Sequence, residues 1–128
     1  MFAQHLALAA LGGAIGSTLR FSTGAMMLRI MGTGWPWGTF TVNLLGSFLM
    51  GLVVGWFAHK GGASGNAQIF LATGVLGGFT TFSAFSLETA RMIETRAYSQ
   101  AAIYAGGSVI LGVIMIFAGL FIMRKVLM

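Results

Sequence analysis

The side chains in this chain that could do chemistry are few, and their types suit hydrogen bonding to a small ion better than bond making. Thr39, Asn43 and Ser47 recur at four-residue steps, the repeat that lines one face of a helix. Tyr104 and Ser108 repeat that spacing further along. Hydroxyls in such stripes ordinarily act as glue between helices. Asn43 is harder to accommodate that way, because an amide has two donors and two acceptors to satisfy. Phe82 and Phe85 lie three apart on one helical face. Phenylalanines in apolar segments are ordinarily filler. Their ring edges are electropositive, however, and an edge-on pair beside hydroxyl and amide donors would suit a small anion.

The rest of the inventory excludes more than it offers. Cysteine and aspartate are absent, so disulfides, thiolate metal sites and cysteine nucleophiles are ruled out. The acids are Glu88 and Glu94 and the histidines His5 and His59, which leaves hydrolytic and metal chemistry almost no raw material. The chain is therefore not expected to be an enzyme. Arg20 is the one charge inside an apolar stretch, placed either to cap carbonyls or to give positive potential to an anion vestibule. Glu88 is expected to pair with Arg91, since residues three apart are helical neighbours. On that assignment the interior has donors and positive edges but no anionic site.

The elements that must position these residues follow from composition. Of 128 residues, 57% are hydrophobic and 7% charged, with a mean hydropathy of +0.91. Soluble domains carry about a quarter of their residues as charges, so this chain has too few to wet a surface and its solvent is lipid. The net charge of +5 comes from a scarcity of acids, and its basic residues are scattered, which argues against nucleic acid as a partner.

A bilayer core about 30 Å thick needs about 20 apolar residues in helix. Four windows qualify, from Gln4 to Leu28 (interrupted by Arg20), Gly38 to Ala58, Ala67 to Leu87 and Tyr98 to Met123. The expectation is an all-α integral membrane protein with one four-helix domain over residues 1–128, joined by connections of roughly eight to ten residues. Gly32, Gly34 and Pro36 break the first connection; Gly61, Gly62, Ser64 and Gly65 break the second. Trp35, Trp37 and Trp56 fall where an interfacial aromatic belt belongs. The first apolar stretch has no basic leader and runs too long for a signal peptide, so it is expected to be retained as a helix.

The third window is the least regular. Gly77 and Gly78 followed by Thr80 and Thr81 are poor helix formers, and a break there would free backbone groups tolerated at membrane depth only against protein, water or ions. Loop charges are evenly split. Lys60, Arg124 and Lys125 share one side of a four-span chain, and Arg29, Arg91 and Arg96 the other. That tie predicts either weak orientation or insertion both ways round, the second useful only if inverted copies assemble with each other. Gly12 with Gly16, Gly51 with Gly55, and Ser108 with Gly112 put small residues four apart for close packing, within the bundle or between copies.

These stretches together resemble a known family. Gly12-Gly13-Ala14-Ile15-Gly16 with Arg20, then Gly38-Thr39-Phe40-Thr41-Val42-Asn43-Leu44-Leu45-Gly46-Ser47, then Gly77-Gly78-Phe79-Thr80-Thr81-Phe82-Ser83-Ala84-Phe85-Ser86-Leu87-Glu88 are similar to the Fluc, or CrcB, fluoride channels. The resemblance implies an antiparallel, dual-topology homodimer in the inner membrane. Two pores at its interface would carry fluoride out down its gradient and confer resistance to it. It further implies that Asn43 donates to fluoride, that Phe82 and Phe85 present ring edges, that Tyr104 and Ser108 line the opposing wall, and that Thr39 and Ser83 are further lining residues. Arg20 matches the family's first-span arginine, and the carbonyls of Gly77 and Thr80 would hold a structural sodium ion on the two-fold axis. Gly112 stands where some relatives have a serine, which interrupts a hydroxyl track along the fourth span.

Other classes fit less well. A small multidrug exporter of organic cations predicts a glutamate in the first span, where this chain has only Arg20. A haem-anchoring subunit needs histidines at membrane depth, and an intramembrane serine peptidase needs one there too; His5 and His59 both stand at span ends.

Overall fold

The computed structural model describes residues 1–59 and 65–128. Among them, four helical segments are long and apolar enough to cross a membrane: Phe2–Met31, Trp37–His59, Gly65–Glu94 and Tyr98–Leu127. We name the first α1 and the second α2. The third comprises α3 (Gly65–Gln68), a π-helical stretch Ile69–Leu76, α4 (Gly77–Phe79) and α5 (Phe82–Glu94). The last, Tyr98–Leu127, is α6. The all-helical, four-span expectation holds. Lys60, Gly61, Gly62 and Ser64, used above for charge and turn arguments, lie outside the described residues.

Two helix pairs form the bundle. α2 lies along α6, and α1 lies along the π-helical stretch and α4. Glycine makes both contacts possible. A Cβ built on Gly12 would meet the Gly74 Cα at 2.8 Å, and one on Gly16 would run into the Val75 carbonyl, so a methyl at either has nowhere to go. On the other pair Gly51 abuts Gly119, and Gly55 abuts Met123. Those two four-residue pairs therefore serve packing within the bundle, where close backbone approach replaces the hydrophobic driving force that lipid removes.

The connections are tighter than expected. Residues 32–36 join α1 to α2, and residues 95–97 join α5 to α6. The first turns on Gly32, whose φ of +81° is costly for any residue with a Cβ, while its N–H still reaches the Leu28 carbonyl. In the second, Arg96 takes a φ of +64°, and the Ala97 N–H closes onto the Met92 carbonyl. Trp35 of that first connection does not point away from the bundle. It turns inward, edge-on to the ring of Tyr104 at 5.4 Å.

The third span does break within the expected stretch, at its threonines and not at its glycines. Gly77 and Gly78 remain helical; Thr80 and Thr81 carry the break, with ψ 160° at Thr80 and φ −150°, ψ 119° at Thr81. The glycines instead admit α1, since a Cβ on Gly78 would stand 2.8 Å from the Gly13 carbonyl. Just before them the ladder widens, and the Gly77 N–H reaches back five residues to the Ala72 carbonyl.

Candidate functional site

Interrupting a helix in lipid is tolerable only if its backbone groups find other partners. At this break, side chains from two other helices supply several. The Thr81 N–H, which an unbroken helix would give to the Gly77 carbonyl, donates to Asn43 Oδ1 at 2.8 Å. Asn43 Nδ2 donates in return to the Thr81 carbonyl at 3.0 Å. One amide of α2 thus pairs with Thr81 as a neighbouring strand would. Arg20 Nε donates to the Gly78 carbonyl at 3.0 Å, so the first-span arginine caps a carbonyl released by the break. Thr81 Oγ1 accepts the Ala84 N–H and starts α5 as its N-cap. Gly77 and Thr80, assigned by resemblance to sodium, are carbonyls whose helical donors have been diverted in this way.

Glu88 is not paired with Arg91. Its Oε2 accepts from Thr39 Oγ1 and its Oε1 from Tyr104 Oη, both at 2.8 Å. The two hydroxyls arrive from different helices and converge on one carboxylate, which two charge-assisted hydrogen bonds hold more firmly than an exposed ion pair on one helix face. The interior therefore does contain an anionic group. It sits between two of the residues that sequence spacing and resemblance had selected, Thr39 and Tyr104.

The remaining selected residues fall around this knot. Tyr104 is 0% exposed, and Phe85 packs on it at 5.2 Å between ring centroids. Phe82 lies 5.8 Å from Phe85 but is itself 79% exposed, facing outward from the subunit. Ser83 is exposed beside the Thr81 hydroxyl, 3.4 Å away. Ser108, one turn beyond Tyr104 on α6, has a buried hydroxyl with no hydrogen-bond partner among the described residues. A further turn along, the Ser47 hydroxyl of α2 lies 3.7 Å from where a side chain on Gly112 would begin, so the third member of the α2 stripe reaches the gap in the α6 hydroxyls.

A cleft of about 660 Å³ opens onto this region, and Arg20, Thr39, Thr81, Glu88, Arg91 and Gln100 are among its lining residues. With two guanidinium groups, hydroxyls and one carboxylate already engaged by donors, it can attract an anion and present hydrogen-bond donors to it. Asn43 brings to the break one amide hydrogen beyond the one that Thr81 takes.

Of the residues that sequence reasoning selected, the structure brings Asn43, Tyr104, Phe85 and Arg20 to this region; Thr81 and Trp35, read only as a helix breaker and a belt residue, and Gln100, not singled out, join them, and Glu88 takes partners other than Arg91. The one local signal was position. Thr39 lies in the first turn of α2, and Glu88 and Tyr104 lie just under two turns from the same end of the bundle, so a carboxylate there had hydroxyls in reach.

Comparison with known proteins gives the same grouping. Residues 7–120 match the family described as CrcB-like protein, Camphor Resistance (CrcB). A protein of Caulobacter vibrioides named fluoride-specific ion channel FluC is 55% identical over 124 residues, covering 96% of this chain and 98% of that one. Proteins of the same name from Hyphomonas neptunium and Novosphingobium aromaticivorans are 56% identical over 120 residues (93% and 94% covered) and 51% identical over 122 (94% and 96% covered). With matches of that extent over all four spans, this multi-pass membrane protein belongs to the CrcB family.

Proposed function

We propose that this protein is a fluoride-selective ion channel and not an enzyme, on the strength of its family and of donors gathered round a break in a membrane span. Fluoride is small, strongly hydrated and only accepts hydrogen bonds, so a pore must replace its water with many donors. An amide, several hydroxyls and ring edges meet that need, and several partial sites bind weakly enough to release the ion. The observation that carries the proposal is the Asn43–Thr81 pairing, which fixes an amide at the break while leaving one of its hydrogens to donate. The carboxylate of Glu88 would repel the ion if bare. Its two hydroxyl donors and the arginines of the same cleft offset that charge.

The functional unit in this proposal is an antiparallel homodimer with two pores at its interface. The even split of loop charges and the outward-facing Phe82 support it. A sodium ion on the two-fold would be held by the Gly77 and Thr80 carbonyls, whose neutral oxygen chemistry and diverted helical donors fit a small monovalent cation. It would supply fixed positive charge to join the subunits.

Ion efflux from liposomes tests the function. Rapid fluoride loss that needs a potassium ionophore to relieve charge build-up, with chloride retained, is the expected result. No fluoride loss from well-folded protein would overturn it and direct attention to organic cations. Replacing sodium with N-methylglucamine should lower the melting temperature of the detergent-solubilised dimer; an unchanged melt would remove the ion from the proposal.

A further inference from the structure

We propose that the α1–α2 connection is a clasp that positions Tyr104, with Trp35 and Gln100 as its two fastenings. The role rests on the fluoride-channel function proposed above and goes beyond it, because both residues line the cleft but neither is assigned there to donate to the ion. Gln100 and Tyr104 lie four apart on α6 and so share a helical face. Each holds one of two consecutive residues of the connection. Gln100 Nε2 donates to the Gly34 carbonyl at 3.0 Å, and Trp35 meets the Tyr104 ring at 5.4 Å and 85°. Two attachments one helical turn apart fix both where the connection sits and how the indole is turned.

The ring of Tyr104 is then in contact with three others. Trp35 meets it edge-on, Phe85 packs at 5.2 Å, and Phe40, itself edge-on to Trp35 at 6.1 Å, packs at 6.4 Å. Packing of that kind holds the ring and so sets where the hydroxyl stands, 2.8 Å from Glu88. The indole contributes ring contact alone. Trp35 Nε1 is buried and has no hydrogen-bond partner among the described residues, so replacing the indole by a phenyl ring breaks no hydrogen bond that these residues make. That separates this role from donation to an ion, and it makes phenylalanine the conservative replacement.

A double-mutant cycle on fluoride efflux tests the clasp. Trp35→Ala is expected to slow fluoride loss about five- to tenfold, the scale of an aromatic pair, and Trp35→Phe to restore it to within about twofold. In a Tyr104→Phe background there is no hydroxyl left to place, so Trp35→Ala should change the rate by less than about twofold. An equal factor in both backgrounds, a wild-type rate in Trp35→Ala, or a Trp35→Phe as slow as Trp35→Ala would each overturn the role. Gln100→Ala removes the other fastening from the first turn of α6 without touching the bundle interior. It decides the matter if Trp35→Ala does not fold, with a loss of about threefold expected that again vanishes beside Tyr104→Phe. Wild-type vesicles run alongside keep the two ideas apart: no fluoride loss from them sinks the channel, whereas wild-type loss with additive variants sinks only the clasp.

Discussion

Asn43→Asp is expected to lower fluoride passage about a hundredfold, the largest effect of any single substitution of equal size in this chain. The exchange keeps the acceptor that receives the Thr81 N–H but turns Nδ2 into a second oxygen, 3.0 Å from the Thr81 carbonyl. Two acceptors then face each other, and a buried carbonyl left without a donor costs about 1–3 kcal/mol. The same change deletes the amide hydrogen left over at the break and, in the proposed pore, puts a negative charge on the anion's path. Both effects act in one direction. Asn43→Ala should fall between wild type and Asn43→Asp, since it loses the pairing without adding charge. The rates are to be read from fluoride efflux, with elution volume and melting temperature as controls. An Asn43→Asp protein that passes fluoride at the wild-type rate would mean that this amide neither shapes the break nor meets the ion.

The effect of Asn43 also marks what the sequence could and could not disclose. The four spans were legible because a bilayer demands a long uncharged window, and such windows are hard to mistake. Their ends were not, because α5 continues helical through Glu88 and Arg91 to Glu94 after hydropathy has fallen. The break was legible to within a few residues, but the part its glycines play was not. Glycine is a poor helix former where water competes for the backbone, but lipid offers no competing partner, and Gly77 and Gly78 stay helical while admitting α1. Thr80 and Thr81 could extend because Asn43, 38 residues away in sequence, supplied the missing pairing. No local pattern contains that fact. Glu88 shows the same limit. Spacing favoured Arg91 three residues on, and two hydroxyls from 49 and 16 residues away took the carboxylate instead.

Phe82→Ile is expected to slow fluoride passage by at least about tenfold while leaving the melting temperature of the protein nearly unchanged. The two halves of that expectation come from different observations. At 79% exposure the Phe82 side chain has little packing within the subunit to lose, and isoleucine retains the apolar surface that a lipid or subunit interface would want. What isoleucine lacks is a ring edge. Phe82 stands directly after the break, 5.8 Å from Phe85, which in turn lies 5.2 Å from Tyr104, so the three rings form a line from the outward face to the buried hydroxyl. An anion moving along that line would meet partial positive charge at each edge, and removing the first would interrupt the approach. If Phe82 were merely lipid-facing, its ring would be dispensable and Phe82→Ile would pass fluoride as wild type does. A loss of flux together with a loss of melting temperature would instead show Phe82 buried in the assembly for packing. Only slow flux from a protein that melts like wild type assigns the ring edge to the ion.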